Sequence, residues 1–201
     1  MKKDNLPALG AFIEAEGGHF GGLVRVNQIL CAAIWAPKDA GETEMVWHPK
    51  FTDIISATSY NDSLANTVAM AEDGSPLAQW ATGLRIAGFS DWAIPARDVL
   101  ELAYRHLKPT TYQTGGYFRD GDNPSSEPPG YPYAHNPVVQ TSAQDFQEGG
   151  PQAFEEALYW SSTQYSSLNA WFQYFSHGYQ SDDDKSSELR ARVVRTIQLI
   201  D

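Results

Sequence analysis

The chain has 201 residues, enough for one domain with a modest extension. Apolar residues make up 42% and charged residues 19%, so a packed core is expected and global disorder is excluded. A net charge of −11 argues against a nucleic-acid binder, which needs a basic face for phosphates, and against a polybasic membrane-surface protein.

No apolar run approaches the roughly 20 residues of a spanning helix, so no membrane insertion is expected. The start, MKKDNLPALG, lacks the hydrophobic stretch of a signal peptide, which makes a cytoplasm the expected site of synthesis. Cys31 is the only cysteine, which excludes an internal disulfide and a cysteine metal cluster. Within ILCAAIWA it reads as a small buried hydrophobe.

Residues 8–36 read as a strand pair, ALGAFIEAEGG and GLVRVNQILCAAIWA, with GGHFGG between them as the turn. PKDAGETEMVW leads by a loop into another short strand. A first helix is predicted over SPLAQWATGLRIAG, with Ser75 as N-cap, Pro76 at the first helical position and Gly88 closing the end. A second begins near Pro95. Ala96, Val99, Leu100, Ala103, Tyr104 and Leu107 form its buried stripe, and Pro109 stops it. From about Thr110 to Gly150 the chain is rich in Gly, Pro, Ser and Tyr, a loop long enough to be functional or mobile. Strands return in EALYWSST, NAWFQYFS and ELRARVVRTIQLI.

That order implies an α+β fold, with two helices set apart from a small antiparallel sheet. We divide it into a β-rich region, residues 1–60, suited to oligomerisation or docking, and a ligand-binding domain, residues 61–201.

The chemical motifs are sparse. RDGDNP offers Asp120, Asp122 and Asn123 as oxygen ligands for calcium, but the twelfth loop position lacks Glu, and an acidic turn is the preferred reading. No cofactor and no metal site is expected. Asp182, Asp183 and Asp184 read as a solvated turn. The five histidines show no metal-ligand spacing, and His106 reads as a favourable charge near a helix C-terminus. Ser161 and Ser162 lie outside any nucleophile elbow.

What remains is the run from Tyr159 to Arg195, crowded with Tyr, Trp, Ser, Asn, Phe, His and Asp. In a strand, Trp171, Gln173 and Phe175 share one face and Phe172, Tyr174 and Ser176 the other. Aromatics on both faces exceed what one small sheet buries unless something covers it, which points to a recognition surface.

Two stretches carry a resemblance. GFSDWAIPARDVLEL is similar to the helix entry of the Lcl C-terminal-type domains, and YWSSTQYSSLNAWFQYFSHGYQSDDDKSSELRARVVR resembles the end of the same family. Ala93 and Ala96 depart from its usual Arg and Thr. The resemblance implies a C-type-lectin-like fold of the kind found in bacterial adhesins and phage or prophage tail proteins. Some members are variable proteins of diversity-generating retroelements, in which miscopied adenines diversify Asn codons. Leu168, Asn169, Phe172, Tyr174, Ser176, His177, Tyr179, Ser181, Asp182, Asp183, Asp184, Ser186 and Ser187 are all types reachable from an AAC codon by changing its first two bases. They are the expected ligand-binding residues. Trp171, Gln173, Gln180, Lys185 and Glu188 are not reachable and would form the framework. Trp160, Trp171, Leu189, Val193 and Val194 would carry the core.

The resemblance thus implies a non-enzymatic, receptor-binding tail protein made in a bacterial cytoplasm and carried on a virion tail. Its partners would be a host-cell surface receptor, protein or glycan, and other tail proteins, with display as a homo-oligomer such as a trimer. The alternatives are a structural virion component without a receptor, and an enzyme on the related formylglycine-generating fold. That enzyme class uses a cysteine pair, and this chain has one cysteine.

Overall fold

The computed structural model of the chain describes residues 1–200. It is an α+β protein in which two curled sheets sandwich one long buried helix. The first sheet holds β1 (Phe12–Ile13), β2 (Gly18–Val26) and β3 (Ile29–Trp35), with β10 (Val194–Gln198) beside β3 and the two-residue β5 (Ser126–Glu127) on β2, all antiparallel. The second sheet runs β4 (Glu42–Val46), β9 (Glu188–Arg192), β6 (Leu158–Gln164), β7 (Asn169–Tyr174) and β8 (Gln180–Asp184). Its pairings are antiparallel except for β6 with β9, which meet in parallel at Tyr159 and Arg190.

The N-terminal strands belong to the same two sheets as the C-terminal ones, so the boundary expected near residue 60 separates no two sheets. β3 pairs with β10 and β4 with β9. ELRARVVRTIQLI, read as one terminal strand, is two. Its chain crosses from one sheet to the other at Val193, which is fully buried. Arg192 fixes the crossing. Its guanidinium is buried, donates to the Ala36 and Gln152 carbonyl oxygens and to Gln152 Oε1, and lies 5.0 Å from the centre of the Phe154 ring. Arg195 lies 3.6 Å from the Phe89 ring centre and donates to Asp91 Oδ1 at 2.5 Å.

The hairpin turn also moves. All of GGHFGG but Gly17 lies inside β2, and the chain reverses at Asn27 and Gln28, both with positive φ, as a two-residue hairpin loop requires. The glycines serve close approach instead. A Cβ on Gly21 would lie 2.3 Å from Trp35 Nε1.

Three helices of eight residues or more replace the two expected, with a four-residue turn of helix, α1 (Lys38–Gly41), before β4. α2 (Ser63–Asp73) is the addition, capped by Asp62 accepting from the Ala65 N–H and ended by Gly74 in the left-handed region. α3 (Pro76–Gly83) starts at Ser75 and Pro76 as predicted but stops five residues before Gly88. Ala87 and Gly88 both take positive φ and form a tight reverse turn between Ile86 and Phe89. α4 (Arg97–Leu107) buries the whole predicted stripe and also Asp98, Glu101 and Leu102. His106 is not a cationic cap. Burial lowers its pKa, and its Nδ1 donates to the Gly21 carbonyl at 2.7 Å, tying α4 to β2.

The core lies in layers. Between the first sheet and the second, α4 packs with Val24, Trp35, Phe154, Tyr159 and Phe175. Beyond the second sheet, Trp47, Trp92, Trp160 and Phe172 pack with α2 and α3. The outer face of the first sheet buries Phe20, Ala32 and Ile34 beneath Leu6, Ile13 and Leu199. Cys31 is buried and free. Among the described residues no helix is long and apolar enough to cross a membrane.

Candidate binding site

The second sheet is covered on both sides, which answers how β7 carries aromatics on both faces. Phe172 and Tyr174 turn toward the helices α2 and α3, where Phe172 is only 6% exposed. On the other face, register pairs Trp171 with Asp182 and Gln173 with Gln180. This face looks toward the N-terminal end of α4 and the irregular chain after it.

That irregular chain is pinned to α4 by buried polar groups. Asn123 Nδ2 donates to the Asp98 carbonyl at 2.7 Å and to Glu101 Oε2 at 2.6 Å. Ser125 Oγ donates to Asp98 Oδ2 at 2.6 Å, and the Tyr133 hydroxyl to Glu101 Oε1 at 2.9 Å. Arg105 meets Glu101 at 2.9 Å and donates to the Gly121 and Tyr131 carbonyls. Burial raises the pKa of Asp98 to about 6, against Ser125 and Arg97, and raises that of Glu101, against Arg105, Asn123 and Tyr133. The long loop is thus a fastened cover over residues 117–133, with Asp120 and Asn123 of RDGDNP serving as acceptors for backbone N–H groups. Among the described residues no three His, Cys, Asp or Glu side chains gather where a metal ion would sit.

Between cover and sheet is an open cleft of about 290 Å³, lined by Tyr60, Arg97, Tyr117, Arg119, Asp120, Trp171 and Gln180. Arg97 packs over two aromatic rings that meet edge-on, 4.7 Å from the centre of Tyr60 and 5.1 Å from that of Trp171. Tyr165 packs edge-on against the indole of Trp171 at 5.2 Å, and Tyr117 against Tyr179 at the same distance. The site is open: Tyr117 on the lining is 71% exposed and Tyr165 beside Trp171 56%.

The thirteen expected contact residues divide. Leu168, His177 and Ser186 are exposed, and Asn169, Tyr174, Tyr179, Ser181, Asp182, Asp183, Asp184 and Ser187 are half-buried. Phe172 and Ser176 are buried and offer no surface. Phe172 faces the helices. Ser176 lies in a turn pressed onto α4, where a Cβ on Gly178 would meet the Tyr104 ring at 2.5 Å. Only His177 projects from that turn, stacked with Tyr112 at 5.9 Å.

The expected framework divides as well. Gln173, Gln180 and Lys185 are buried, whereas Glu188 is exposed. Burial brings the Lys185 pKa down to about 8, with Asp53 and Asp73 raising it, and its Nζ donates to the Thr52 carbonyl at 2.8 Å and to Gln164 Oε1 at 2.6 Å. Trp160, Val193 and Val194 are core, Leu189 is half-buried, and Trp171 is not core. It stands on the polar face, covered only in part by Tyr60, Tyr165 and Arg97. Ser161 and Ser162 are buried in β6, where the Ser161 carbonyl accepts from Trp47 Nε1 at 2.8 Å.

Sequence reasoning missed Tyr60, Arg97, Tyr117 and Arg119. The available signal was GGYFRD, aromatic and basic side chains on a glycine-flanked loop with no apolar neighbours to bury them. Compared with models of known protein families the chain matches none, and no curated protein matches it in sequence.

Proposed function

We propose that the chain is a non-enzymatic binding protein with a C-type-lectin-like fold, carried on a phage or prophage tail, whose surface around residues 165–187 contacts a host-cell receptor. The observation that carries this reading is the division of β7. One face completes a hydrophobic core, while the other presents Trp171 with Tyr165 and Tyr117 at an open cleft, and Leu168 lies exposed in the turn before β7. Tyr and Trp supply large contact area at low entropic cost, and the exposed Ser, Asn and Asp around them adapt their hydrogen bonds. Few helices, curled antiparallel sheets and a long cover loop over one sheet face support the lectin-like assignment. Single contacts of this kind are weak, so display as a homo-oligomer, in our reading a trimer, would raise avidity.

The test is binding of the fluorescently labelled protein to candidate host bacteria. Saturable binding that Trp171→Ala and Leu168→Asp abolish, with melting temperatures near wild type, supports the assignment. Binding untouched by both substitutions places the receptor surface elsewhere, and binding to no strain across the host range removes the receptor role. Sequencing the gene and its flanks tests the retroelement origin. A near-copy with AAC codons at the variable positions beside a reverse-transcriptase gene supports it, and its absence leaves a fixed ligand.

A further inference from the structure

The cleft holds free donors. Asp120 is the one carboxylate in its lining, and each oxygen accepts a backbone N–H, Oδ2 that of Tyr117 at 2.8 Å and Oδ1 that of Gln180 at 3.4 Å. Gln180 Oε1 accepts from the Gly121 N–H at 2.9 Å, which fixes the amide orientation and turns Nε2 away from that bond. Among the described residues Nε2 donates to no protein group, and it is not sealed from solvent, on a side chain that lines the cleft. Arg119 is exposed and, among the described residues, makes no ion pair and no side-chain hydrogen bond. Arg97 packs over both Tyr60 and Trp171, pairs with Asp98 at 3.8 Å and donates from Nη2 to the Asp122 carbonyl at 3.3 Å, so Arg119 is the arginine left free.

Within the lining two arginines stand against one aspartate, and with Arg97 paired to Asp98 behind it, Arg119 is the uncompensated charge on a chain of net charge −11. The nearest carboxylate on the strand face, Asp182, already accepts from Asn169 Nδ2 at 2.6 Å. A group entering here must bring acceptors, and the aromatic walls favour an apolar stem behind them. Five of the seven lining residues are Tyr, Trp or Arg, the types that dominate the energetic centres of protein–protein interfaces.

Resting on the receptor-binding reading above, we propose that this cleft is the anchor site for a carboxylate side chain, Glu or Asp, of a protein receptor. The carboxylate is received by Arg119 and Gln180 Nε2 over the Arg97 guanidinium. Tyr60, Tyr117 and Trp171 enclose its methylene stem.

The first probe is acetyl-glutamate, titrated into the full chain and followed by amide and indole NMR signals, with acetyl-glutamine as the neutral isostere and glucuronate as a sugar carboxylate. Acetyl-glutamate is expected to shift the Trp171 indole and Gln180 side-chain signals saturably, at roughly millimolar affinity. Arg119→Gln should weaken it by about tenfold, the loss of one charge-assisted contact. Equal responses to acetyl-glutamine, or no saturable shift at these signals, overturn the proposal. A tighter response to glucuronate overturns it in favour of an acidic glycan. The same Arg119→Gln protein is then applied to host cells. Cell binding that persists unweakened shows that the cleft is not the anchor even though the receptor role stands. Absence of cell binding by the wild type removes the receptor role while the titration still reads the cleft.

Discussion

Phe172 and Trp171 are neighbours on one strand with opposite fates. Phe172 meets a layer of Trp47, Trp92, Trp160 and helical alanines, apolar throughout, and is nearly sealed. Trp171 meets Arg97, Tyr60, Tyr165 and a cover built from Gly, Pro, Asn and Asp, and stays half-open. The strand's period of two delivers one aromatic to each side, and the cover decides what each does. An apolar cover turns its face into core. A polar cover, tied down by buried hydrogen bonds, leaves a cleft.

The sharpest way to break this contrast is Phe172→Ala. It should cost about 3–5 kcal/mol, read as a shift in urea midpoint. A shift no larger than that of Trp171→Ala would erase the distinction between the two faces.

The polar cover should announce itself through pH. Asp98, with a folded pKa raised to about 6 by burial, binds its proton more tightly in the folded state than in the unfolded one. Its contribution is therefore present below its unfolded value and is lost as pH rises through 6. The loss amounts to about 2–3 kcal/mol between pH 4 and pH 7. Glu101 and Asp120, raised in the same direction, add to the fall. Asp98→Asn should flatten the stability profile over this window, and an unchanged profile would show that Asp98 does not titrate there.

Asn123→Ala tests the fastening itself. It strips donors from Glu101 and the Asp98 carbonyl and an acceptor from the Ser125 and Ser126 N–H groups. A loss of about 1–3 kcal/mol is expected, with faster amide exchange confined to the cover. Exchange rising evenly across the whole chain would argue against a separable cover. The smallest stability effect belongs to the cleft rim. Tyr117→Ser should stay within about 0.5 kcal/mol of wild type, because the ring is mostly exposed, while weakening cell binding. A large stability loss would make Tyr117 a structural residue of the cover.

Much of this architecture is legible in local chemistry. Ser75 with Pro76 starts a helix because side-chain capping and a fixed φ act within one turn. The α4 stripe is readable because Val99, Leu100, Ala103, Tyr104 and Leu107 keep helical spacing, although the helix is buried on almost every side. His177 and Ser186 reach the surface as their types suggest, and Leu168 does so against its apolar type. α2 was less visible, since its buried face holds Ser63, Asn66 and Thr67 and carries little apolar period. The mixture of types in residues 168–187 singled out a recognition segment, but composition assigned Phe172, Ser176 and Trp171 to the wrong environments.

By itself, the sequence determined the α+β class, the start of two helices, the buried lone cysteine and the alternation along β7, all consequences of backbone preference and short-range periodicity. Only the tertiary structure decided which side of β7 would be sealed. It also decided that β10 would return to the N-terminal sheet, and that Tyr60, Arg97, Tyr117 and Arg119 would meet Trp171. Those side chains lie far apart along the chain. They converge because buried hydrogen bonds between α4 and the irregular cover fix where that cover lies, a long-range satisfaction of polar groups that no local pattern records.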